Sequence, residues 1–148
     1  MFNDAIKMTG NLKLVLTDEH GNIKQEEEVK NLVVTVGKNF IASRMKDATA
    51  TAMTHMEVGT STQAAAVGDT ALIAAVASSR VTLTSTTVTT NSVAYVASFP
   101  AGTGTGALTE AGIFNASSAG TMLCRTVFSV INKGAADTLG ITWTVTVN

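Results

Sequence analysis

Residues 139–148, LGITWTVTVN, carry an apolar side chain at every second position, with Gly, Thr or Asn between them. Successive side chains of a β-strand point to opposite faces of the sheet, so this stretch predicts a strand with one apolar face. The apolar positions are Leu139, Ile141, Trp143, Val145 and Val147. Burying each of these side chains contributes roughly 1.5–3 kcal/mol. We therefore expect the core to form against this strand, with Trp143 as its candidate anchor.

Short β patterns separated by turn residues recur along the rest of the chain. Residues 11–30 predict a β-hairpin with a charged outer face, because DEHGN at 18–22 is suited to a tight turn. Within it, Glu26–Glu28 predicts a solvated strand edge that discourages edge-to-edge pairing. Further strands are expected at about 56–58, 80–90, 93–99, 107–115, 121–131 and 138–147. This spacing predicts a mainly β, antiparallel fold, either a β-sandwich or a jelly-roll-like barrel.

Two segments have helical patterns. Residues 36–45 place Phe40, Ile41, Arg44 and Met45 at helical spacing, with Thr35 as the predicted N-cap and Gly37 as a weak point. A short second helix is predicted over about 70–77, where Asp69 resembles a cap.

The length of 148 residues predicts a single domain. Within residues 1–148 we expect a charged arm and hairpin over 1–30, followed by a helix and a β-sandwich over 31–148. The hairpin is expected to be an outlying element that touches a partner.

Charged residues are concentrated near the N-terminus. Residues 1–47 hold 14 of the 21 charged side chains, and residues 48–148 hold seven. Ordinary domains are about one quarter charged, and charge is depleted in the cores of protein interfaces. The pattern therefore predicts a homo-oligomer or a larger assembly.

Several classes of function are disfavoured by composition. A net charge of −1 and a pI near 6.1 provide no electrostatic footprint for nucleic acid or an anionic membrane. The longest apolar run, 71–77, is too short to cross a bilayer, and the first residues lack the pattern of a secretory signal. A single cysteine, Cys124, rules out an internal disulfide and is typical of synthesis in a reducing cytosol.

No catalytic, cofactor or metal site is predicted. His20 and His55 lack a second His or Cys at ligand spacing, and neither is placed to form a catalytic triad. The run GTGTG at 102–106 is followed by a strand pattern and not by a helix, so we interpret it as a loop and not as a phosphate cradle. The sequence therefore predicts a protein that is not an enzyme.

Glu110 and Arg125 form the candidate interface pair. They lie on successive predicted strands in a region almost free of charge, so they could pair across the sheet or across a subunit interface. Two independent exposed charges are the other interpretation. In the interface case, Arg125→Ala should weaken assembly more than folding.

The order of these segments resembles that of small virion structural proteins of tailed bacteriophages, over residues 31–148. The resemblance is carried by NLVVTVGKNFIASRM at 31–45, HMEVGTST at 55–62, DTAL at 69–72, EAGIFN at 110–115, the Gly120 turn, the Met122 strand ending near Lys133, and the strand around Trp143. It implies a sandwich or jelly roll that works as an oligomer and has no catalytic residues.

The function implied by this resemblance is that of a capsid decoration, or cement, protein. Such a protein would be made in the host cytoplasm and would bind the major capsid protein in the virion as a homotrimer, with a dimer as the alternative. A tail-fibre, tail or baseplate component is the rival within virions. A carbohydrate-binding β-sandwich is the rival outside them, although only 5% of residues are aromatic and few rings remain for stacking on a sugar.

Overall fold

The computed structural model describes residues 5–47 and 49–148. In these residues the protein is mainly β, with nine strands and one α-helix. The elements are β1 (Met8–Thr17), β2 (Ile23–Val33), α1 (Thr35–Lys46), β3 (His55–Gly59), β4 (Val81–Thr82), β5 (Ser85–Thr89), β6 (Ser92–Phe99), β7 (Gly106–Phe114), β8 (Met122–Lys133) and β9 (Thr138–Val147). The mainly β class and the single long helix are confirmed.

The strands form one antiparallel sheet in the order β4-β3-β7-β8-β2-β1-β9-β6-β5, which curls into a half-barrel. Its two edge strands, β4 and β5, are neighbours in sequence. The residues between them hold the two ends of the sheet together, because the Leu83 N–H donates to the Thr54 carbonyl and the Thr84 N–H donates to the Val96 carbonyl. Curling lets one sheet cover a single core from both sides.

The core lies on the concave side and is built by alternate residues, as the β period requires. On β9, Leu139, Ile141 and Trp143 are fully buried and Val145 is 5% exposed, whereas Val147 at the strand end is 40% exposed. Trp143 lies between its cross-strand partners on β1 and β6, Leu12 and Tyr95. β6, β7, β8 and β9 lie close to where the alternation predicts strands.

The predicted hairpin is present as β1 and β2, but it is part of the sheet and not an outlying arm. β1 pairs with β9 along its whole length and with β2 on its other side. Its residues Leu12, Leu14 and Leu16 are at most 1% exposed. β2 continues to β8 only through Leu32 and Val33, so it joins the two halves of the sheet.

Helix α1 packs its first turn against β8. A Cβ atom at Gly37 would overlap the Leu123 carbonyl oxygen, so only glycine allows the helix to approach this strand. The prediction that Thr35 caps the helix is wrong: Val34 occupies the N-cap position without a side-chain cap bond. The helix start is fixed instead by backbone bonds, from the Val34 N–H to the Leu123 carbonyl and from the Thr35 N–H to the Val67 carbonyl.

The predicted second helix over 70–77 is wrong. This segment is irregular and runs beside β3, with a bridge between Gly59 and Ala75. Its backbone groups are used in that pairing, because the Thr60 N–H donates to the Ala74 carbonyl and the Val76 N–H donates to the Val58 carbonyl. The predicted strand over 80–90 is also divided into β4 and β5.

Replacing Trp143 by alanine should destabilise the fold by about 3–5 kcal/mol, because the fully buried indole would leave a cavity. Urea denaturation measures the loss, and native indole emission should be blue-shifted from that in water. Thr142→Ala, an exposed neighbour on β9, is the matched control and should change stability by less than about 0.5 kcal/mol. Water-like emission from the native protein would contradict burial of the ring.

Candidate functional site

Residues 60–80, here called the covering segment, lie across the outer face of β7 and β8. As a result, both faces of these strands are buried: every residue of 108–114 and of 122–126 is buried. The segment is anchored near its start by side chains of these strands, with the Thr109 hydroxyl donating to the Ser61 carbonyl at 2.8 Å. The central strands are therefore enclosed between the core and a second layer.

Arg125 is the centre of the contact beneath the covering segment, and its side chain is 0% exposed. Its Nε donates to the Glu110 carboxylate at 2.8 Å, and its Nη1 donates to the Asp69 carboxylate at 2.9 Å. Nη2 lies 2.8 Å from Glu110 and also donates to the Gln63 carbonyl at 2.9 Å. We call Asp69, Glu110 and Arg125 the ionic cluster. Two carboxylates and a carbonyl bind the guanidinium through all three of its nitrogens.

Glu110 also fixes the backbone of the covering segment. Its two carboxylate oxygens accept the N–H groups of Ile73 at 3.2 Å and Ala74 at 2.7 Å. A side chain at Gly59 would collide with this carboxylate, since its Cβ would lie 2.5 Å from Oε1. The amides of the predicted second helix are thus used by Glu110, and Asp69 binds Arg125 and the Ala66 N–H instead of capping a helix.

The structure brings Glu110 and Arg125 together within one chain, on the adjacent strands β7 and β8. This is the arrangement across the sheet, and two independent exposed charges are ruled out because both side chains are fully buried. A part for the pair in a subunit interface stays a prediction. Sequence reasoning missed Asp69 as the third member, although its isolation among uncharged residues was a usable signal.

A second set of contacts closes the end of the covering segment. Arg80 pairs with Glu57 at 2.8 Å, and its guanidinium lies 3.7 Å from the centre of the Phe114 ring. Leu72 packs with Phe114 in a small apolar cluster on this outer side of the sheet, together with Val34 and Met122. The covering segment is therefore held by ion pairs at Asp69 and Arg80 and by the apolar contact of Leu72 between them.

The third paired charge site lies among the turns at one end of the sheet. Lys133 is 2% exposed and donates to the Pro100 carbonyl at 3.0 Å. Burial lowers the pKa of Lys133, and the nearby Asp137 opposes that shift. Asp137 accepts a hydrogen bond from Lys24 at 2.7 Å and another from the Gly134 N–H, and these bonds lower its pKa.

Together these contacts sequester every charged side chain of residues 49–148. Each of the seven is at most 14% exposed and lies within hydrogen-bond or ion-pair distance of a partner. In residues 5–47, by contrast, most charged side chains are exposed, for example Lys13, Glu26 and Lys46. The molecule thus has a charged surface from its N-terminal third, and elsewhere a surface of hydroxyl, amide and apolar groups.

The other residues considered in the sequence are not brought into a reactive cluster. His20 lies 3.5 Å from Glu19 on an exposed turn, and the His55 ring contacts the hydroxyls of Thr54 and Thr82. Burial raises the pKa of the Cys124 thiol well above its usual value. Among the described residues no group of three His, Cys, Asp or Glu side chains has the geometry for a metal ion, and no helix has the length and apolarity to cross a membrane.

Two of the concave regions among the described residues bear on ligand binding. A groove of about 790 Å³ lies over the outer face of β9, β1 and β2, and its lining, which includes Thr144, Asn11 and Lys30, contains no aromatic ring. A smaller apolar cavity of about 190 Å³ lies between α1 and the sheet, where Phe40 and Ile41 face Tyr95. The first lacks a stacking platform for sugars, and the second is lined mainly by residues of the core margin.

Comparison with known proteins identified no relative: no protein-family model, no curated protein and no solved structure matches this chain.

Replacing Arg125 by methionine should destabilise the protein by about 3–5 kcal/mol, because the two carboxylates would stay buried without a cation. The triple variant Asp69→Asn, Glu110→Gln, Arg125→Met should recover part of this loss, since no charge then remains buried. Urea denaturation compares the variants, and hydrogen exchange at the Ile73 and Ala74 amides reports release of the covering segment. A single variant as stable as the original protein would show that the ionic cluster does not hold this segment.

Tyr95, the one tyrosine of the chain, should ionise late. Burial, with a smaller contribution from nearby Cys124, raises the pKa of Tyr95 to about 12, against about 10 in an unfolded chain. Because the folded-state pKa is the higher one, this stabilisation is complete below about pH 10 and is lost as the pH rises towards 12. Ultraviolet absorbance of tyrosinate should show a midpoint near 12 in buffer and near 10 in urea; a midpoint near 10 in buffer would contradict burial.

Proposed function

We propose that this protein is a non-enzymatic virion structural protein, a decoration or cement protein that stabilises a phage head by binding between subunits of the major capsid protein. The observation that carries the proposal is the sequestration of every charge in residues 49–148. A surface without exposed charge loses little hydration free energy when it is covered, which suits a permanent contact. The resemblance of residues 31–148 to phage virion proteins supports the same conclusion.

The protein would act by binding alone, because the binding free energy of each copy adds to the stability of the shell and no chemical reaction is required. A decoration protein binds only the assembled shell, so its binding free energy adds to the stability of that shell. Many copies act at once, so modest apolar and hydroxyl contacts in each copy are sufficient. The rigid support for these contacts is the curled sheet, which we propose to be a variant of the β-sandwich or jelly-roll-like barrel expected from the sequence.

The distribution of charge supports an orientation on the shell. The exposed surface of residues 49–148 faces the capsid and neighbouring copies, and the charged surface of residues 5–47 faces solvent. This proposal differs from the expectation that an outlying hairpin touches the shell, because β1 and β2 are built into the sheet. The oligomer is proposed to be a homotrimer on the basis of resemblance, with a dimer as the alternative.

Cosedimentation tests the proposal. The purified protein should pellet with phage heads that lack it, saturate at a fixed number of copies per head, and leave tails in the supernatant. Binding to tails alone would favour a tail or baseplate component. Binding to neither particle, together with affinity for a glycan, would overturn the proposal, although the groove over β9, β1 and β2 offers no aromatic ring to a sugar.

A pair of matched variants tests the uncharged surface itself. Val67, on the covering segment, is 55% exposed, and Ile23, at the start of β2, is 60% exposed. Val67→Lys should weaken head binding roughly tenfold or more by placing an unpaired charge in the contact, whereas Ile23→Lys adds the same charge to a surface that is already charged and should have little effect. Equal effects of the two variants would contradict the proposed orientation.

A further inference from the structure

Among the described residues, the curled sheet has backbone edges without a paired strand at β4, at β5 and where β2 separates from β8, and the residues along these edges differ. An unpaired strand edge presents N–H and C=O groups that can pair with another strand, and proteins usually block such edges with charges, proline, bulges or short strands. Blocked and unblocked edges can therefore be told apart from the residues that they carry.

Two of the three edges are blocked. β4 is only two residues long. β2 is free of β8 over residues 24–30, and this stretch carries five charged residues. Side chains also bridge the gap there, with Gln25 donating to the Val130 carbonyl and Thr126 donating to the Lys30 carbonyl.

β5 has none of these protections. All five of its residues, Ser85–Thr89, are exposed. Its pairing with β6 runs without a bulge, and residues 81–109 contain no charged side chain. The sequence STTVT has high β propensity, and Val88 is 71% exposed. This edge is therefore suited to receive another strand.

The backbone groups available at this edge follow from the register. The Val147 N–H donates to the Asn91 carbonyl. Along β6, every second residue counted from Asn91 therefore bonds to β9, and the residues between them bond to β5. The β5 partners of the latter are Ser85, Thr87 and Thr89. The N–H and C=O groups of Thr86 and Val88 consequently point away from the sheet.

We infer that β5 is the strand through which one copy of this protein pairs with a second copy, antiparallel and across a two-fold axis. Full overlap of the two strands places Thr87 opposite Thr87 and Thr86 opposite Val88 of the other copy. Thr86 and Val88 then exchange backbone hydrogen bonds with each other, which continues the sheet from one copy into the next. Val88 lies on the same face as Val93, so pairing also covers an exposed apolar side chain at the margin of the core.

Two observations select a second copy as the occupant. The strand is self-complementary, because two uncharged STTVT strands can lie antiparallel without opposing like charges. A two-fold contact is also the one that the sheet allows, since a head-to-tail contact would need a second long edge without charges, whereas β4 has only two residues and the free stretch of β2 carries five charges. The inference rests on the self-association in the proposed function and names the contact that β5 makes, between free copies or between neighbouring oligomers on a shell.

Charge substitutions at Thr86 and Val88, whose backbone groups point away from the sheet, test the inference. Thr86→Lys with Val88→Lys places two lysines opposite two lysines of the other copy, which should raise the dissociation constant roughly tenfold or more. Thr86→Lys with Val88→Glu removes the same two side chains but sets opposite charges across the axis, so association should be retained. Both positions are exposed, so thermal unfolding should remain close to that of the original protein in each variant.

Light-scattering mass over a concentration series measures association, and hydrogen exchange identifies the edge. The Thr86 and Val88 amides should gain protection as concentration rises, while the Thr87 amide, already bonded to β6, should be protected throughout. Mixing the Lys/Lys variant with a Glu/Glu variant should restore pairing. The inference is overturned if the original protein stays monomeric at all concentrations, or if the Lys/Lys variant associates as tightly as the original.

The head cosedimentation assay is independent of these results. If the original protein fails to bind heads, the proposed function fails, and a concentration-dependent mass that is lost in the Lys/Lys variant still supports the β5 contact. If heads are bound but the mass does not respond to the β5 variants, the β5 contact fails and the proposed function stands.

Discussion

A guanidinium group without access to water needs its charge neutralised and its N–H groups bonded, and the burial of Arg125 near the start of β8 imposes this requirement on the structure. Glu110 of β7 supplies one carboxylate to the guanidinium, and the covering segment supplies the Asp69 carboxylate and the Gln63 carbonyl. The covering segment in turn buries the outer face of β7 and β8. One buried cation thus determines the path of residues that form no regular element.

Ion pairing inside the fold also explains why the surface is divided into a charged part and an uncharged part. Among the carboxylates of residues 49–148, Asp69 and Glu110 share Arg125, Glu57 pairs with Arg80, and Asp137 pairs with Lys24 of β2. Pairing inside the fold leaves the rest of the surface to hydroxyl, amide and apolar groups, which are easier to desolvate than charges. The exposed charges lie instead on residues 5–47. The charge distribution along the sequence is therefore also a distribution over the surface.

Periodicity predicted the sheet well, because its signal is local. The alternation around Trp143 identified β9 and its buried face, and the patterns after Val93 placed the remaining strands of the C-terminal half. The order of the strands and the curl of the sheet were beyond such reasoning, since they depend on pairing between distant segments. The second helix failed for a related reason. Asp69 looked like a helix cap, but its partner, Arg125, is far away in sequence, and a buried ion pair outweighs a local propensity.

Part of the candidate site could be predicted from the sequence. Glu110 and Arg125 could be singled out because charges are scarce around them, and scarcity is a property of the sequence alone. The covering segment could not, because apart from Asp69 and Arg80 its residues are uncharged, most of them are small, and they show no period. Edge strands follow the same rule, since nothing in STTVT alone says that one side of it is unpaired. Once the pairing of the strands is known, the contrast with the charged edge of β2 shows that the edge of β5 lacks protecting charges. In the proposed pairing, the charged edge of β2 stays in solvent and the uncharged edge of β5 receives the second copy.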